Sequence, residues 1–240
     1  MKKILIIILF SLPFCAQAQQ RVEAKDIHQG TNSLYYRKGQ TTPFTGVMLE
    51  YYNNGQLERE TNIVAGYRDG LCRDYFEDGS PAIETNYLRG KEHGTVKMYD
   101  DNGTLFSVEE YKNGLLDGVS KGYHANGALE MEMTFRQGLA EGEMKQYYAN
   151  GNLLCVMYFR NGVLDGPMKL YNENGQIETE ANFRNGKEHG SVKHFYDTGQ
   201  IEFEATYKDG QLVGDEKLYD EKGTAIQGDA TKYVKRKFPF

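Results

Sequence analysis

Histidine is the side chain best suited to proton transfer and metal binding near neutral pH, and the chain holds five. His93 and His189 occupy the same place in two copies of an internal repeat, four copies apart. At two strands per copy they stand roughly 40 Å from each other, so they share no site. His189 and His194 are closer in sequence, but no Cys or further His accompanies them, and zinc takes several such ligands. The turn Asp100-Asp101-Asn102-Gly103 is rich in oxygen, yet it lacks the alternating ligand spacing of a calcium loop. No Ser-His-Asp order, glycine-rich phosphate loop or HExxH motif occurs. Every Ser or Asp that could be nominated is a repeat or turn residue. Without a nucleophile–base constellation, the expectation is a protein that is not an enzyme and that uses no metal or cofactor.

The repeat that absorbs these residues is 24 residues long and runs without a slip from Gly46. Counting that glycine as position 0, position 0 holds Gly46, Gly70, Gly94, Gly118, Gly142, Gly166, Gly190 and Gly214. Position 9 runs from Gly55 to Gly223 and position 20 from Gly66 to Gly210. These three columns take 23 of the 27 glycines. Turn formers such as Asn53-Asn54, Asp101-Asn102 and Glu173-Asn174 precede position 9, and Asn-Gly or Asp-Gly between short alternating runs marks a hairpin.

Between the turns, aromatic and branched apolar residues recur in runs of strand length. Position 5 holds Tyr51, Tyr75, Tyr99, Tyr123, Tyr147, Tyr171, Phe195 and Tyr219. Position 17 holds Ile63, Tyr87, Tyr111, Phe135, Phe159, Phe183 and Tyr207, and position 11 is mostly Leu or Ile. Helical spacing is absent. The fold expected is all-β: tandem 24-residue hairpin repeats in an elongated, single-layer antiparallel meander, with no significant helix beyond the leader. A three-residue loop such as Asp197-Thr198-Gly199, its glycine left-handed, puts positions 5, 11 and 17 on one face and the glutamates Glu58, Glu60, Glu202 and Glu204 on the other. A two-residue loop instead sets the position-3 bases opposite the position-14 acids. A slip of one residue exchanges the faces. The first register is favoured because it gathers both aromatic columns into one stripe.

The tyrosine column is the best candidate for binding. Stiff, half-polar rings supply the contact area that interfaces favour, and Tyr75, Tyr99, Tyr123, Tyr147, Tyr171, Phe195 and Tyr219 form the candidate contact row. The competing reading makes the same rings the core, each stacked on the next copy; a ring can pack laterally and still present its edge. The basic column Arg73, Lys97, Lys121, Lys145, Lys169, Lys193 and Lys217 offsets the glutamate columns across the strands rather than forming an anion site.

The turns Phe183-Arg184-Asn185-Gly186-Lys187-Glu188-His189-Gly190, Tyr87 to Gly94 and Tyr111 to Gly118 resemble the MORN repeat in its bacterial variant, the YwqK-type antitoxin-like proteins. The resemblance covers residues 46 to 223. It implies a curved single-layer sheet that binds proteins or lipids, no shared reaction, and, through the antitoxin label, a toxin as partner.

The ends differ from the array. Residues 1–18 read as a secretory signal, with Lys2 and Lys3, an apolar run from Ile4 to Phe14 too short to span a membrane, and Ala16-Gln17-Ala18 at the cleavage site. Phe14 stands where lipidation of Cys15 would need a small residue. Export to the periplasm or beyond follows. Losing two lysines takes the formal charge from −6 to about −8, a balance that disfavours nucleic acid. Residues 19–45 read as an N-terminal cap, 46–223 as the array, and 224–240 as a C-terminal cap or tail whose basic, aromatic end blunts a sheet edge or touches an anionic surface. Cys72 and Cys155, three copies apart, lie roughly 30 Å from one another and are expected as free thiols packed like small apolar residues. An outer-membrane barrel is excluded because the strands are short and Glu, Lys and Asn recur where lipid would lie. Function is expected as docking of a protein partner along the sheet face; the alternative is an array that binds an envelope surface, lipid or glycan, against which the absence of Trp weighs.

Overall fold

In the computed structural model, the residues described are 19–228, Ala230 and Tyr233. The leader, Cys15 and the basic end of the tail lie outside them. The array forms one sheet of 22 strands, and a separate two-stranded hairpin pairs Ile27–Gln29 with Tyr35–Arg37.

The unit beginning at Gly190 shows how sequence makes the fold. Strand Gly190–Phe195 turns into strand Ile201–Lys208. Gly199 N–H donates to the Tyr196 carbonyl at 2.8 Å, and Tyr196 N–H to the Gln200 carbonyl at 2.9 Å. Gly199 has φ +82°, which closes the expected three-residue loop without a Cβ penalty. At the other end of the unit the turn has two residues, Asp209-Gly210, at φ +52° and +81°, and Tyr207 faces Leu212. Two left-handed residues in succession give the primed turn whose twist suits a hairpin.

The register combines the two alternatives. Gly190 pairs with Tyr207, Val192 with Ala205, Lys193 with Glu204 and His194 with Phe203; the pairing then shifts so that Phe195 meets Ile201. A β-bulge, with Glu202 as the extra residue, lets a three-residue loop coexist with base–acid pairing at positions 3 and 14. The same shift precedes Tyr51, Tyr75 and Tyr171. The bulge splits the expected stripe: positions 5 and 11 stay together, Phe195 opposite Ile201, while position 17 moves to the other face. Directly paired residues share a face, and neighbours along a strand alternate. Tyr207 therefore sides with Val192 and His194, away from Phe195. Position 14 correspondingly lies on the tyrosine face, so Glu60 and Glu204 are not opposite the rings as expected.

Positions 2, 13, 15 and 17 make up the buried face. Met157 is 2% exposed and Met168, Ala181, Phe203 and Ala205 are each 1% exposed. Each large apolar side chain so buried stabilises by about 1.5–3 kcal/mol. The ends are covered by chain from outside the array. Val22, Ile27 and Phe44 pack with Met48 and Ile63. Ala230 and Tyr233 join the cluster that runs from Cys155 to Tyr207, with the Tyr233 ring stacked on Phe203 at 4.8 Å.

One pairing departs from a pure antiparallel meander. Arg21–Glu23 lies parallel to Gly46–Tyr51, with Arg21 opposite Val47 and Glu23 opposite Leu49. It occupies hydrogen-bonding groups that the first array strand would otherwise expose.

Candidate functional site

The position-5 rings stand next to the three-residue loops, on the face that also carries positions 3 and 14. Tyr75, Tyr99, Tyr123, Tyr147, Tyr171, Phe195 and Tyr219 are all half-buried; Tyr51, at the start of the column, is 46% exposed. They neither form the core nor stand free: each is partly covered and leaves part of its surface open. Beside them the bases pair with acids across the strands: Arg73 with Glu84 at 3.2 Å, Lys121 with Glu132 at 3.1 Å and Lys169 with Glu180 at 2.8 Å. Exposed pairs of this kind are worth well under about 1 kcal/mol each, and they keep the face between the rings polar.

The charge ladder breaks at Val108 and again at Val156. Lys145 faces Val156 across the strands and turns along its own strand to Glu143, at 2.6 Å. The Tyr158 hydroxyl donates to the same carboxylate. The Lys145 hydrogen bond, followed by that of Tyr158, holds Glu143 below the usual carboxylate range. The result is a groove of about 270 Å³ lined by Glu143, Val156, Tyr158, Pro167, Lys169 and Tyr171. It has apolar walls and one charged group of each sign, which suits an anchoring side chain from a partner.

A second set of side chains, at position 6, fixes the spacing of the rings. The Tyr52 hydroxyl donates to the Tyr75 carbonyl at 2.6 Å, Tyr148 to Tyr171 at 2.8 Å and Tyr196 to Tyr219 at 2.7 Å. His124 Nε2 lies 2.8 Å from the Tyr147 carbonyl, to which it donates. Each bond reaches 23 residues on and ties one copy to the next at the backbone of a candidate contact residue. Rings one step beyond the tyrosine column are the sequence signal for these ties. Phe76, Asp100, Asn172 and Asp220 interrupt that column.

Seven segments, 44–64, 68–88, 92–113, 116–137, 140–163, 164–185 and 188–209, match the family described as MORN repeat variant. The chain belongs to the MORN repeat variant family. Among curated proteins no match is found. A solved structure, "Crystal Structure of TcdB2-TccC3-Cdc42", is similar over 80% of this chain at 11% identity and a TM-score of 0.18; the chain spans 14% of the length of that one.

In the MORN array the histidines are placed by the repeat. His189 sits at position 23 with Nδ1 3.2 Å from Asp209 Oδ1. In four of the other copies that position carries an acid that caps the next turn, for example Asp117, which accepts from Gln137 N–H at 3.1 Å, and Glu141, which accepts from Asn161 N–H at 2.9 Å. His93, at the same position, has a buried Nδ1 without a hydrogen-bond partner. His194 is 2% exposed on the opposite face, with Nδ1 2.9 Å from Thr179 Oγ1 and its ring against Tyr233. Among the described residues no three His, Cys, Asp or Glu side chains are grouped to hold a metal. Cys72 and Cys155 are free and buried. Burial pushes both thiols up, Cys155 to about 11.

Proposed function

We propose that this MORN array is a non-catalytic, exported scaffold that docks a protein partner along its tyrosine face. The observation that carries the reading is the groove beside Val156, set within a row of half-buried rings whose spacing is fixed by backbone ties. A face of that kind offers an anchor pocket surrounded by polar pairs, the arrangement expected of an interface hot spot. The resemblance to YwqK-type antitoxin-like proteins supports a toxin as the class of partner. The leader-like residues 1–18 support export.

The test is affinity purification of the mature protein from its own cells after mild cross-linking, beside the variant Tyr123→Ser/Tyr147→Ser. One stoichiometric protein partner, lost from the variant, is the expected result. An unchanged set of captured proteins would sink the docking face.

A second reading, an array that binds the envelope surface, is favoured by the two-residue turns. Lys112, Arg136, Arg160, Arg184 and Lys208 are exposed there in five successive copies. The neighbouring Leu115, Leu139 and Val163 are 51%, 49% and 44% exposed. Recovery of lipid or glycan alone in the same purification would select this reading.

A further inference from the structure

The columns of a repeat protein are set by packing, so the places where they are broken together are informative. At position 22 the first copy carries Arg68, where the next five have Glu92, Leu116, Ala140, Leu164 and Glu188. At position 19 the second copy carries Arg89, where Asn, Gln or Asp follows in every later one. Lys91 stands two residues on. These three cations line one cleft of about 490 Å³ with Tyr35, Tyr67 and Gln29.

The cleft is walled by the N-terminal cap and held firmly. Tyr35 N–H donates to the Gly66 carbonyl at 2.9 Å, and Gln29 Nε2 donates to the Ser33 carbonyl at 2.9 Å. Arg68 forms its floor. Its guanidinium donates to the Tyr35 hydroxyl at 3.3 Å and lies over the Tyr87 ring, 5.5 Å from the centroid. Behind it is a second cavity of about 100 Å³ into which Thr61 faces; Thr61 is 1% exposed and its Oγ1 has no hydrogen-bond partner. Among the described residues no carboxylate lines the cleft, and none forms an ion pair with Arg68, Arg89 or Lys91. The nearby Asp69 carboxylate is engaged by the backbone N–H of Arg89, at 3.1 Å.

We propose that this cleft binds a small polyanion, a phosphate ester or a polycarboxylate, between Arg68, Arg89 and Lys91. Guanidinium forks match both kinds of oxyanion. Three positive charges that no carboxylate pairs with, in a cleft that no carboxylate lines, call for a ligand with at least two negative ones. The site is separate from the tyrosine face and stands or falls independently of the partner proposed for that face.

Isothermal titration of the purified protein with inorganic pyrophosphate, and separately with citrate, tests it. Saturable binding of either probe is expected, weakening as salt rises. Preference for pyrophosphate assigns a phosphate ester, and preference for citrate a polycarboxylate. Arg89→Gln and Lys91→Gln alter exposed turn side chains, and together they should weaken binding at least about tenfold. Lys121→Gln, on the tyrosine face, should leave it unchanged. Absence of saturation by both probes at millimolar concentration, or undiminished binding by the Arg89→Gln/Lys91→Gln variant, overturns the proposal. Arg68→Gln also removes the contacts to Tyr35 and Tyr87, so its effect is judged beside its melting temperature.

Discussion

The hydroxyl of Tyr148 donates to the backbone carbonyl of Tyr171, 23 residues further along, at 2.8 Å. A side chain of one repeat thereby holds the main chain of the next at a candidate contact ring. Stability in a linear array is the sum of the units and the interfaces between neighbours, and this bond belongs to the interface part. Tyr148→Phe removes it and preserves the ring. The expected cost is about 1 kcal/mol, read from chemical unfolding followed by circular dichroism, with the β-sheet spectrum unchanged. No loss of stability would show that the tie is incidental.

Gln137 has φ +51°, in the first half of a two-residue turn. Asn161 and Asn185, both at +50°, occupy the equivalent place. Asn tolerates the left-handed region better than an ordinary side chain does. Gln137→Asn is therefore expected to stabilise by a few tenths to about 1 kcal/mol, a rise in melting temperature of about 1–4 °C. Unchanged or lower melting would mean that the Gln137 side chain makes up for its backbone strain.

Burial pushes the Glu188 carboxyl above its usual range. A carboxyl raised on folding favours the folded state only while it is protonated. Its stabilising contribution is present below the ordinary carboxylate range and disappears as pH rises through the raised value. Glu188→Gln should then melt above the parent at neutral pH and alongside it at about pH 4. Glu143, held low by Lys145 and then Tyr158, works in the opposite sense: its contribution is present at neutral pH and is lost on acidification. Equal melting of parent and Glu188→Gln at both pH values would remove Glu188 from the account.

Cys72 and Cys155 are 7% and 2% exposed, and desolvation holds their thiols protonated. Iodoacetamide reacts with the thiolate, so the native protein should resist alkylation at neutral pH and label at both cysteines in denaturant. Rapid labelling of the native protein would show that the buried face opens readily.

The fold was legible because glycine and its Asn or Asp neighbours mark turns in one phase, and that phase survives substitution elsewhere. The face assignment was not. A bulge costs one residue and leaves no mark in composition, and Glu202 looks like any glutamate in a strand. Position 17 consequently seemed to join position 5, whereas Tyr207 packs with the core. The parallel strand Arg21–Glu23 was hidden for another reason: it is three residues long and outside the repeat. In the candidate site the tyrosine column was readable from spacing alone. The groove at Val156 depends on a missing charge and on how Lys145 turns to Glu143, and so needs coordinates. The cation cleft depends on basic residues at three positions in two adjacent copies, with the cap supplying its far wall.

The bulge gives the array a spatial reading frame. Loss of one paired residue beyond it, such as Glu204, would set Ala205 opposite Lys193 and turn Ala205 and Tyr207 outward while sending Thr206 into the interior, as a frameshift scrambles codons downstream of it. Duplication or excision of an entire unit preserves the phase. Length variation that evolution can accept inside this array is therefore quantised in steps of 24 residues, and smaller insertions are tolerable only at the turns.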